Sequence, residues 1–276
     1  MNNAWEKVQL ARHANRITTK TLIKEVFPDF LELHGDRLIG DDKAIIAGLG
    51  SFNGISLTII GNEKGVDTKD KINRNFGMAH PEGYHKALRL MKQAEKFNRP
   101  ILTIIDTPGA YPGVGAEERG QANAIAVNLK EMMQIKVPII TVVLGEGGSG
   151  GALAIGVSDY IGMFENSIYS VLSPEGFASI SFKDSKKAPE VSEMMKLAAS
   201  DLLELRVIDE IIPEVEPLSI NPKLGIEAFK KFLSNSLNKY QNIEINELLH
   251  KRYQKFRNIG VYKVISTEME NNNEEH

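Results

Sequence analysis

The fold of this chain is decided by a glycine-rich stretch, Gly145-Glu146-Gly147-Gly148-Ser149-Gly150-Gly151-Ala152. A largely apolar run at 137–144 leads into it and predicts a strand, and residues 152–155 have helix-forming character. A strand, a turn of bare backbone and a helix start bring unpaired N–H groups together, because glycine has no side chain to cover them. Such a point can bind an anion or stabilise a negative charge that develops during a reaction.

A second loop is predicted to lie beside the first. It covers 106–113 and follows the continuous apolar strand 101–105, and one helix separates the two loops in the chain. A right-handed crossover places both strands in one sheet and both loops at its carboxyl edge, where α/β folds bind ligands. The sequence therefore predicts an oxyanion hole built from two sets of backbone amides. The candidate donors are Gly109, Ala110, Gly147, Gly148, Gly150, Gly151 and Ala152.

The glycine-rich stretch also has a purely structural interpretation, in which the glycines simply allow a helix to pack tightly on a strand. A Walker phosphate loop is excluded, because no Gly-Lys-Ser/Thr follows. A dinucleotide fingerprint is only weakly met between Gly145 and Gly150, with Glu165 or Glu175 loosely spaced as the ribose partner.

Ser149 is a candidate nucleophile without a nearby base. Glycines flank it on both sides, and a nucleophilic serine needs a histidine in contact. The histidines that could serve, His34, His80 and His85, are far away in the sequence. The six histidines show no metal-binding His-x-x-x-His spacing, and the absence of cysteine excludes a thiolate zinc site in this chain.

Composition indicates a globular protein of the cytoplasm. The chain has 276 residues, 42% of them hydrophobic and 25% charged, with a net charge of −3. That charge argues against a general nucleic-acid binder, which would carry a basic surplus. Because the N-terminus lacks the apolar region of a signal peptide and no window reaches a membrane span, no membrane association is expected.

Local patterns predict the elements around the two loops. Strands at 44–49 and 55–60 are joined by Asn53-Gly54, a strong hairpin signal, and residues 61–83 form a long polar connection. A helix from about Glu117 is predicted to bury one face, and Ser173-Pro174-Glu175 predicts a helix start. The predicted buried face consists of Ala122, Ile125, Ala126, Leu129 and Met133.

Charged residues near the loops have two interpretations each. Glu117, Glu118 and Arg119 either complement a helix dipole or lie near the active site. The basic run Lys64, Lys69, Lys71 and Arg74 could meet the phosphates of a nucleotide-like ligand. A solvated loop is an equal interpretation, because acidic residues alternate with these cations.

Five motifs in order closely resemble the alpha subunit family of bacterial acetyl-CoA carboxylase carboxyltransferase. The likeness covers about residues 5 to 215. The motifs occupy 32–37, 71–78 with 80–84, 106–113 with 115–121, 145–156 and 173–176. Two features depart from the family pattern: motif-bearing sequence begins within the first few residues, where members often have a longer helical extension, and Phe177 stands where a smaller residue is common.

The resemblance implies a crotonase-like α/β fold of the ClpP/crotonase superfamily, a spiral of repeated ββα units with helical additions at both ends. On that pattern the chain divides into four parts. They are an N-terminal helical segment at 1–35, a carboxyltransferase core at 36–215, C-terminal helices at 216–262 and a tail at 263–276 that is expected to be disordered.

The resemblance also implies an activity and partners. The reaction would transfer a carboxyl group from carboxybiotin, held on the biotin carboxyl carrier protein, to acetyl-CoA, giving malonyl-CoA for fatty acid synthesis. The chain would act in an α2β2 assembly with a zinc-bearing beta subunit, alongside ATP-binding biotin carboxylase in the wider complex. The motif match implies Gly150, Gly151 and Ala152 as oxyanion donors, and Gly109, Ala110, Gly147 and Gly148 as loops of the biotin pocket.

Two further functions compete with this one. A stand-alone crotonase-type hydrolase or isomerase of acyl-CoA would need a carboxylate or serine in the pocket, and Glu117, Glu118 and Ser149 are the candidates. A non-catalytic scaffold subunit would only bind a partner and would have no need of bare amides at strand ends.

Overall fold

One sheet of eight strands organises residues 3–260, which are the residues that the computed structural model describes. Its order is β1-β2-β3-β4-β5-β6-β8, and β7 pairs separately with β5. The strands are β1 (Leu31–Glu32), β2 (Ile45–Phe52), β3 (Ile55–Asn62), β4 (Ile101–Thr107), β5 (Ile139–Gly148), β6 (Tyr160–Phe164), β7 (Ile168–Ser170) and β8 (Glu210–Ile212).

Helices cover both faces of this sheet. They are α1 (Ala4–Ala11), α2 (Thr19–Val26), α3 (Thr68–Asn73), α4 (Pro81–Lys96), α5 (Val114–Glu118), α6 (Gln121–Met132), α7 (Ser149–Leu153), α8 (Pro174–Phe182), α9 (Ala188–Met194), α10 (Ala199–Glu204), α11 (Pro222–Tyr240) and α12 (Ile245–Arg257). Short 3₁₀ turns lie at Asn75–Gly77 and Ser185–Lys187. In the part of the chain described, no helix has the length and apolar character that crossing a membrane requires.

The predicted hairpin between the first two long strands is confirmed. Strands β2 and β3 pair antiparallel from Ile45↔Asn62 to Phe52↔Ile55. The turn residues Asn53 and Gly54 both have left-handed backbone, with φ of 50° and 80°. Two consecutive residues of that conformation form the turn whose twist matches paired strands, and for this reason Asn-Gly occurs there.

The central strands run parallel, as the crossover argument predicts. Strand β4 lies between β3 and β5 and is parallel to both, with Ile101 opposite Ile139. Parallel neighbours end at the same edge of a sheet, so Thr107 at the end of β4 pairs with Gly147 near the end of β5. The convergence of the two predicted loops is therefore confirmed.

Alternate residues of β4 supply two separate hydrophobic cores. Ile101 and Ile105 pack with α4 and α6, whereas Leu102 and Ile104 pack with α2 and α11. All seven residues of β4 are buried. Burial on both faces explains the continuous apolar sequence of this strand.

The glycine-rich stretch is less turn-like than the sequence predicts. Residues Gly145 to Gly148 continue β5, and the last three of them pair with β7, with Glu146 opposite Ile168. The change of direction occurs at one residue, Ser149, whose φ is 48°. Since small residues leave room for neighbouring strands, the glycines here serve close approach as well as the turn.

Two other predicted segments differ from the structure. The polar connection at 61–83 contains α3 and a 3₁₀ turn. The single helix expected from Glu117 is two helices, because Gly120 has a φ of 83° and separates α5 from α6.

The proposed division into four parts stays a prediction. Leu22 of α2 and Phe229 of α11 belong to the same core as Ile104 of the central sheet, and β1, at the end of the segment 1–35, pairs with β2. Residues 261–262 and the tail at 263–276 lie outside the described residues.

Candidate active site

The backbones of the two loops lie in close contact. A Cβ atom added at Gly151 would lie 2.4 Å from the carbonyl carbon of Gly109 and 2.6 Å from the amide nitrogen of Ala110. One added at Gly148 would lie 2.1 Å from the carbonyl oxygen of Pro108. Because neither contact leaves room for a side chain, both positions require glycine for close approach.

The predicted donors of the second loop lie at the start of α7. Gly151 and Ala152 are buried, Gly148 and Gly150 are half-buried, and Gly147 is buried beneath the ring of Tyr169. The first amides of a helix have no acceptor within it. Within residues 3–260, the hydrogen bonds formed outside helices and strands use neither the Gly150 nor the Gly151 amide. Ala152 is the fourth residue after the N-cap Gly148, so helical geometry directs its amide to the Gly148 carbonyl oxygen, and its expected role as an oxyanion donor is not supported.

The predicted donors of the first loop are only partly available. The Gly109 amide donates to Thr107 Oγ1 at 3.1 Å, and the same hydroxyl donates to the Gly109 carbonyl oxygen at 2.7 Å. Gly109 therefore does not have a free N–H for a second acceptor, and its expected role as an amide donor is corrected. Ala110 lies half-buried beside Gly151 and is the amide of this loop that faces the junction.

Side chains from other motifs hold the first loop in place. The His80 ring stacks on Tyr111 with ring centroids 4.2 Å apart, and Gln121 Nε2 donates to the carbonyl oxygens of Ala79 and Tyr111. Tyr111 N also donates to the Ala79 carbonyl oxygen. His80 thus helps to hold Tyr111 of the first loop in place.

Four charged side chains connect the ends of β4 and β5, and we call Arg12, Lys64, Asp106 and Glu146 the charge cluster. Lys64 Nζ lies 2.8 Å from Asp106 Oδ1 and 2.9 Å from Glu146 Oε2. Arg12 reaches Glu146 at 2.6 Å and, in α8, Glu175 at 2.7 Å.

The electrostatic balance of the charge cluster favours the ionised forms. Burial alone would raise the pKa of the Glu146 carboxyl, but Lys64 and Arg12 hold that pKa below its usual value. Burial alone would lower the pKa of the Lys64 ammonium, but Asp106 and Glu146 raise it. Lys64 and Glu146 therefore stay charged at neutral pH.

An apolar cavity of about 500 Å³ lies beside the other face of α7. Ser149 and Leu153 line it from α7, Phe177 lines it from α8, and Tyr169 lines it from β7. Burial raises the pKa of Tyr169 to about 12, so its hydroxyl stays protonated. None of the residues that line this cavity is a histidine or a carboxylate, and its one basic side chain, Lys196, lies 3.4 Å from Asp201, so Ser149 has no free base there.

Other charged candidates are not gathered at the junction of the loops. Glu117 and Glu118 are exposed on α5. In the basic run, Lys64 belongs to the charge cluster and Arg74 pairs with Asp70 at 2.8 Å, so these two cations already have partners. Across residues 3–260, no group of three or more His, Asp and Glu side chains could hold a metal ion.

Sequence reasoning missed Arg12 and the role of Lys64. Neither residue lies in a glycine-rich loop. Lys64 is 42 residues before its partner Asp106, and Arg12 is 134 residues before its partner Glu146, so no local pattern connects either pair. The signal that could have found them was a carboxylate, Glu146, inside an otherwise bare and buried strand end. A buried carboxylate needs a cation.

Comparison with known sequences gives a family for this chain. The family described as acetyl co-enzyme A carboxylase carboxyltransferase-like matches residues 2–260. The acetyl-coenzyme A carboxylase carboxyl transferase subunit alpha of Clostridium botulinum (strain Eklund 17B) is 56% identical over 261 residues, 94% of this chain and 95% of that protein. The subunit of the same name from Halalkalibacterium halodurans is 55% identical over 95% of this chain and 81% of that protein.

Solved structures share the fold at low sequence identity. A transcarboxylase 12S chain with methylmalonyl-coenzyme A bound matches with a TM-score of 0.69 and 20% identity, over 83% of this chain and 42% of that chain. This chain thus spans less than half of that one. A Pseudomonas malonate decarboxylase hetero-dimer matches with a TM-score of 0.64 and 17% identity, over 79% of this chain and 89% of that chain. These likenesses confirm the predicted crotonase-like fold.

Proposed function

This chain belongs to the family of acetyl-CoA carboxylase carboxyltransferase alpha subunits, and we propose from this premise that the junction of its two loops is the oxyanion-stabilising half of the active site. The chain is a component of a biotin-dependent transferase that moves a carboxyl group to acetyl-CoA, giving malonyl-CoA. The observation that carries the proposal is the backbone contact between Gly151 and the Gly109–Ala110 peptide.

Carboxyl transfer requires stabilisation of a developing negative charge, and it does not require a side-chain acid to the same degree. A carboxylated biotin, when bound, would supply the carboxyl group, and negative charge would develop on its ureido oxygen as the group leaves. The amide of Gly151, in the first turn of α7, would donate to that oxygen, with the amide of Gly150 at the entrance. A preorganised amide donor of this kind contributes about 2.7–4 kcal/mol to transition-state stabilisation.

The residues present fit a biotin group. The free amides at the junction of the loops match a neutral carbonyl-type oxygen that becomes anionic. The Gly109–Ala110 peptide would form the opposite wall, and Gly147 and Gly148 would let the strand end approach the ring. Thr107 would keep that wall rigid, because its hydroxyl bonds both polar groups of Gly109.

Partners and location are part of the proposal. The α2β2 assembly with a zinc-bearing beta subunit, the biotin carboxyl carrier protein and biotin carboxylase come from family membership. Exposed apolar side chains beside the cavity, with Val171 80% and Ile180 74% exposed, suit burial against such a partner. The cytoplasm is the location expected for a chain of this composition acting on acetyl-CoA.

The competing functions have less support. A hydrolase or isomerase acting alone needs a carboxylate or an activated serine. Glu117 and Glu118 are exposed on α5, and Ser149 faces a cavity without a free base. A scaffold has no use for an unpartnered helix start packed against a second strand end.

Reconstitution tests the proposal. The purified chain is assayed for malonyl-CoA-dependent carboxylation of biocytin, with and without a carboxyltransferase beta subunit. We expect activity only in the mixture, because one half of the site comes from each subunit. Activity of the chain alone, or an inactive mixture that has formed a stable complex, would reject the proposal.

A further inference from the structure

We propose that Lys64 is a positioning residue for carboxyl transfer: its ammonium group holds the carboxyl ends of β4 and β5 together so that the loops they carry keep their contact. This inference rests on the function proposed above. Nothing in the motif match assigns a role to Lys64.

The geometry places one cation between two strand ends. Lys64 follows β3, and its Nζ contacts Asp106 at the end of β4 and Glu146 near the end of β5, at 2.8 and 2.9 Å. Its side chain is 18% exposed, and those of Asp106 and Glu146 are 7% and 10% exposed. A single ammonium thus joins three neighbouring strands of the sheet at their carboxyl edge.

The two strand ends need this cation because their carboxylates are forced together. Asp106 Oδ1 also accepts a hydrogen bond from the Glu146 amide at 3.0 Å. A Cβ atom at Gly145 would lie 2.4 Å from the same oxygen, so only glycine permits the approach. Without Lys64, two largely buried carboxylates would face each other with Arg12 as the remaining cation of the charge cluster, and Arg12 contacts only Glu146 of the two.

Displacement of the strand ends would reach the proposed donors directly. Asp106 is separated from Gly109 by two residues, and Glu146 is separated from Gly151 by four. The backbone contact between Gly109 and Gly151 has no side chain that could adapt to a shift. Misplacement of catalytic groups by about 1 Å can cost about 100-fold in rate.

The opposite end of β5 offers a matched control. Arg252 Nη2 lies 2.7 Å from Asp159 Oδ2, and both side chains are at most 2% exposed. Asp159 Oδ2 also accepts from the amide of Ile139, the first residue of β5. The Arg252–Asp159 ion pair is at least as buried as the ion pairs of Lys64 with Asp106 and Glu146. It lies at the amino end of β5, away from the loops.

The experiment compares Lys64→Met, the double variant Lys64→Met/Asp106→Asn and Arg252→Met in the complex with the beta subunit. The readouts are kcat and KM for biocytin carboxylation, complex formation and thermal unfolding. We expect Lys64→Met to lower kcat about 100-fold, with KM within about twofold. The double variant keeps an acceptor at position 106 but removes one buried charge. Its kcat should therefore be at least tenfold higher than that of Lys64→Met. Arg252→Met should lower the unfolding midpoint and leave kcat of the folded fraction within about twofold.

The outcomes separate positioning from general stability. A folded Lys64→Met complex with unchanged kcat would overturn the inference. A double variant that is no better than the single one, or that does not fold, would also overturn it, because Lys64 would then matter through packing and not through charge balance. If Lys64→Met does not fold while the double variant folds and is active, the inference is supported. The wild-type complex is assayed first, and its inactivity would count against the proposed function itself.

Discussion

Ser149 has a left-handed backbone, with a φ of 48°, at the residue where β5 turns into α7. A non-glycine residue held in that region stores strain, and such strain occurs at functional sites. If the Ser149 hydroxyl were a nucleophile, its catalytic role would explain why a serine occupies this strained position. The cavity that it faces offers no free base, so we attribute the strain to the turn itself.

We therefore expect Ser149→Gly to keep kcat for biocytin carboxylation within about twofold, because glycine adopts this φ without strain and the amides stay in place. The measurement is a steady-state assay of the complex. A loss of about 10⁶-fold, as for removal of a catalytic serine, would restore Ser149 as a nucleophile.

At single residues, the sequence predicts geometry better than hydrogen bonding. The bare amides of Gly150 and Gly151 could be inferred from composition alone, since five glycines in seven residues exceed what packing needs. The hydrogen bond from the Gly109 amide to Thr107 could not be inferred from the sequence, because it depends on the rotamer of the threonine side chain. Neither interpretation of Lys64, a phosphate contact or a solvated loop, anticipated its ion pairs, because its partners come from two other strands.

Among the elements, the loop before β2 is fastened to α4 by one buried lysine. Lys86 Nζ lies 2.6 Å from Asp41 Oδ1, and the side chain of Lys86 is 1% exposed. Burial disfavours the ionised Asp41 carboxyl, but hydrogen bonds from Lys86 and from the Gly35 amide prevail and lower its pKa to about 2. A carboxyl whose pKa falls on folding stabilises the fold above its unfolded pKa, and this contribution is lost as pH falls through the folded pKa.

Asp41→Asn should consequently lower the unfolding midpoint at pH 7, and its difference from wild type should shrink between about pH 4 and about pH 2. The exposed Glu118→Gln of α5 is the control and should change the midpoint little at any pH. Thermal unfolding followed by circular dichroism across that range provides the measurement. A deficit of Asp41→Asn that stayed constant down to pH 2 would contradict the ion-pair account.

Helix α6 shows why element faces are harder to predict than element positions. The sequence assigned its buried side to Ala122 and Ala126, but both are exposed and Gln121 and Asn128 are buried instead. Asn128 Nδ2 donates to the carbonyl oxygens of Tyr84 and Ala154. Polar residues that bond to backbone from other elements are invisible to a hydrophobic pattern.

On the scale of the whole molecule, the sheet is the part that the sequence predicted best. Apolar strands joined by helices imply parallel neighbours, and parallel neighbours imply that loops at 106–113 and 145–151 share an edge. The pairing of β5 with β7 beyond β6 was not predicted, because three-residue strands such as Ile168–Ser170 have almost no periodic signal.

The central claim, that the backbone junction at Gly151 performs the stabilisation, belongs to this scale because it needs the assembled complex. The most direct test is the kcat of biocytin carboxylation for Gly151→Ala, with Gly40→Ala as the control, since a Cβ atom at Gly40 would meet nothing within 4 Å. We predict that Gly151→Ala still binds the beta subunit but loses about 100-fold or more of kcat, whereas Gly40→Ala stays near wild type. A Gly151→Ala complex with wild-type turnover would contradict the account.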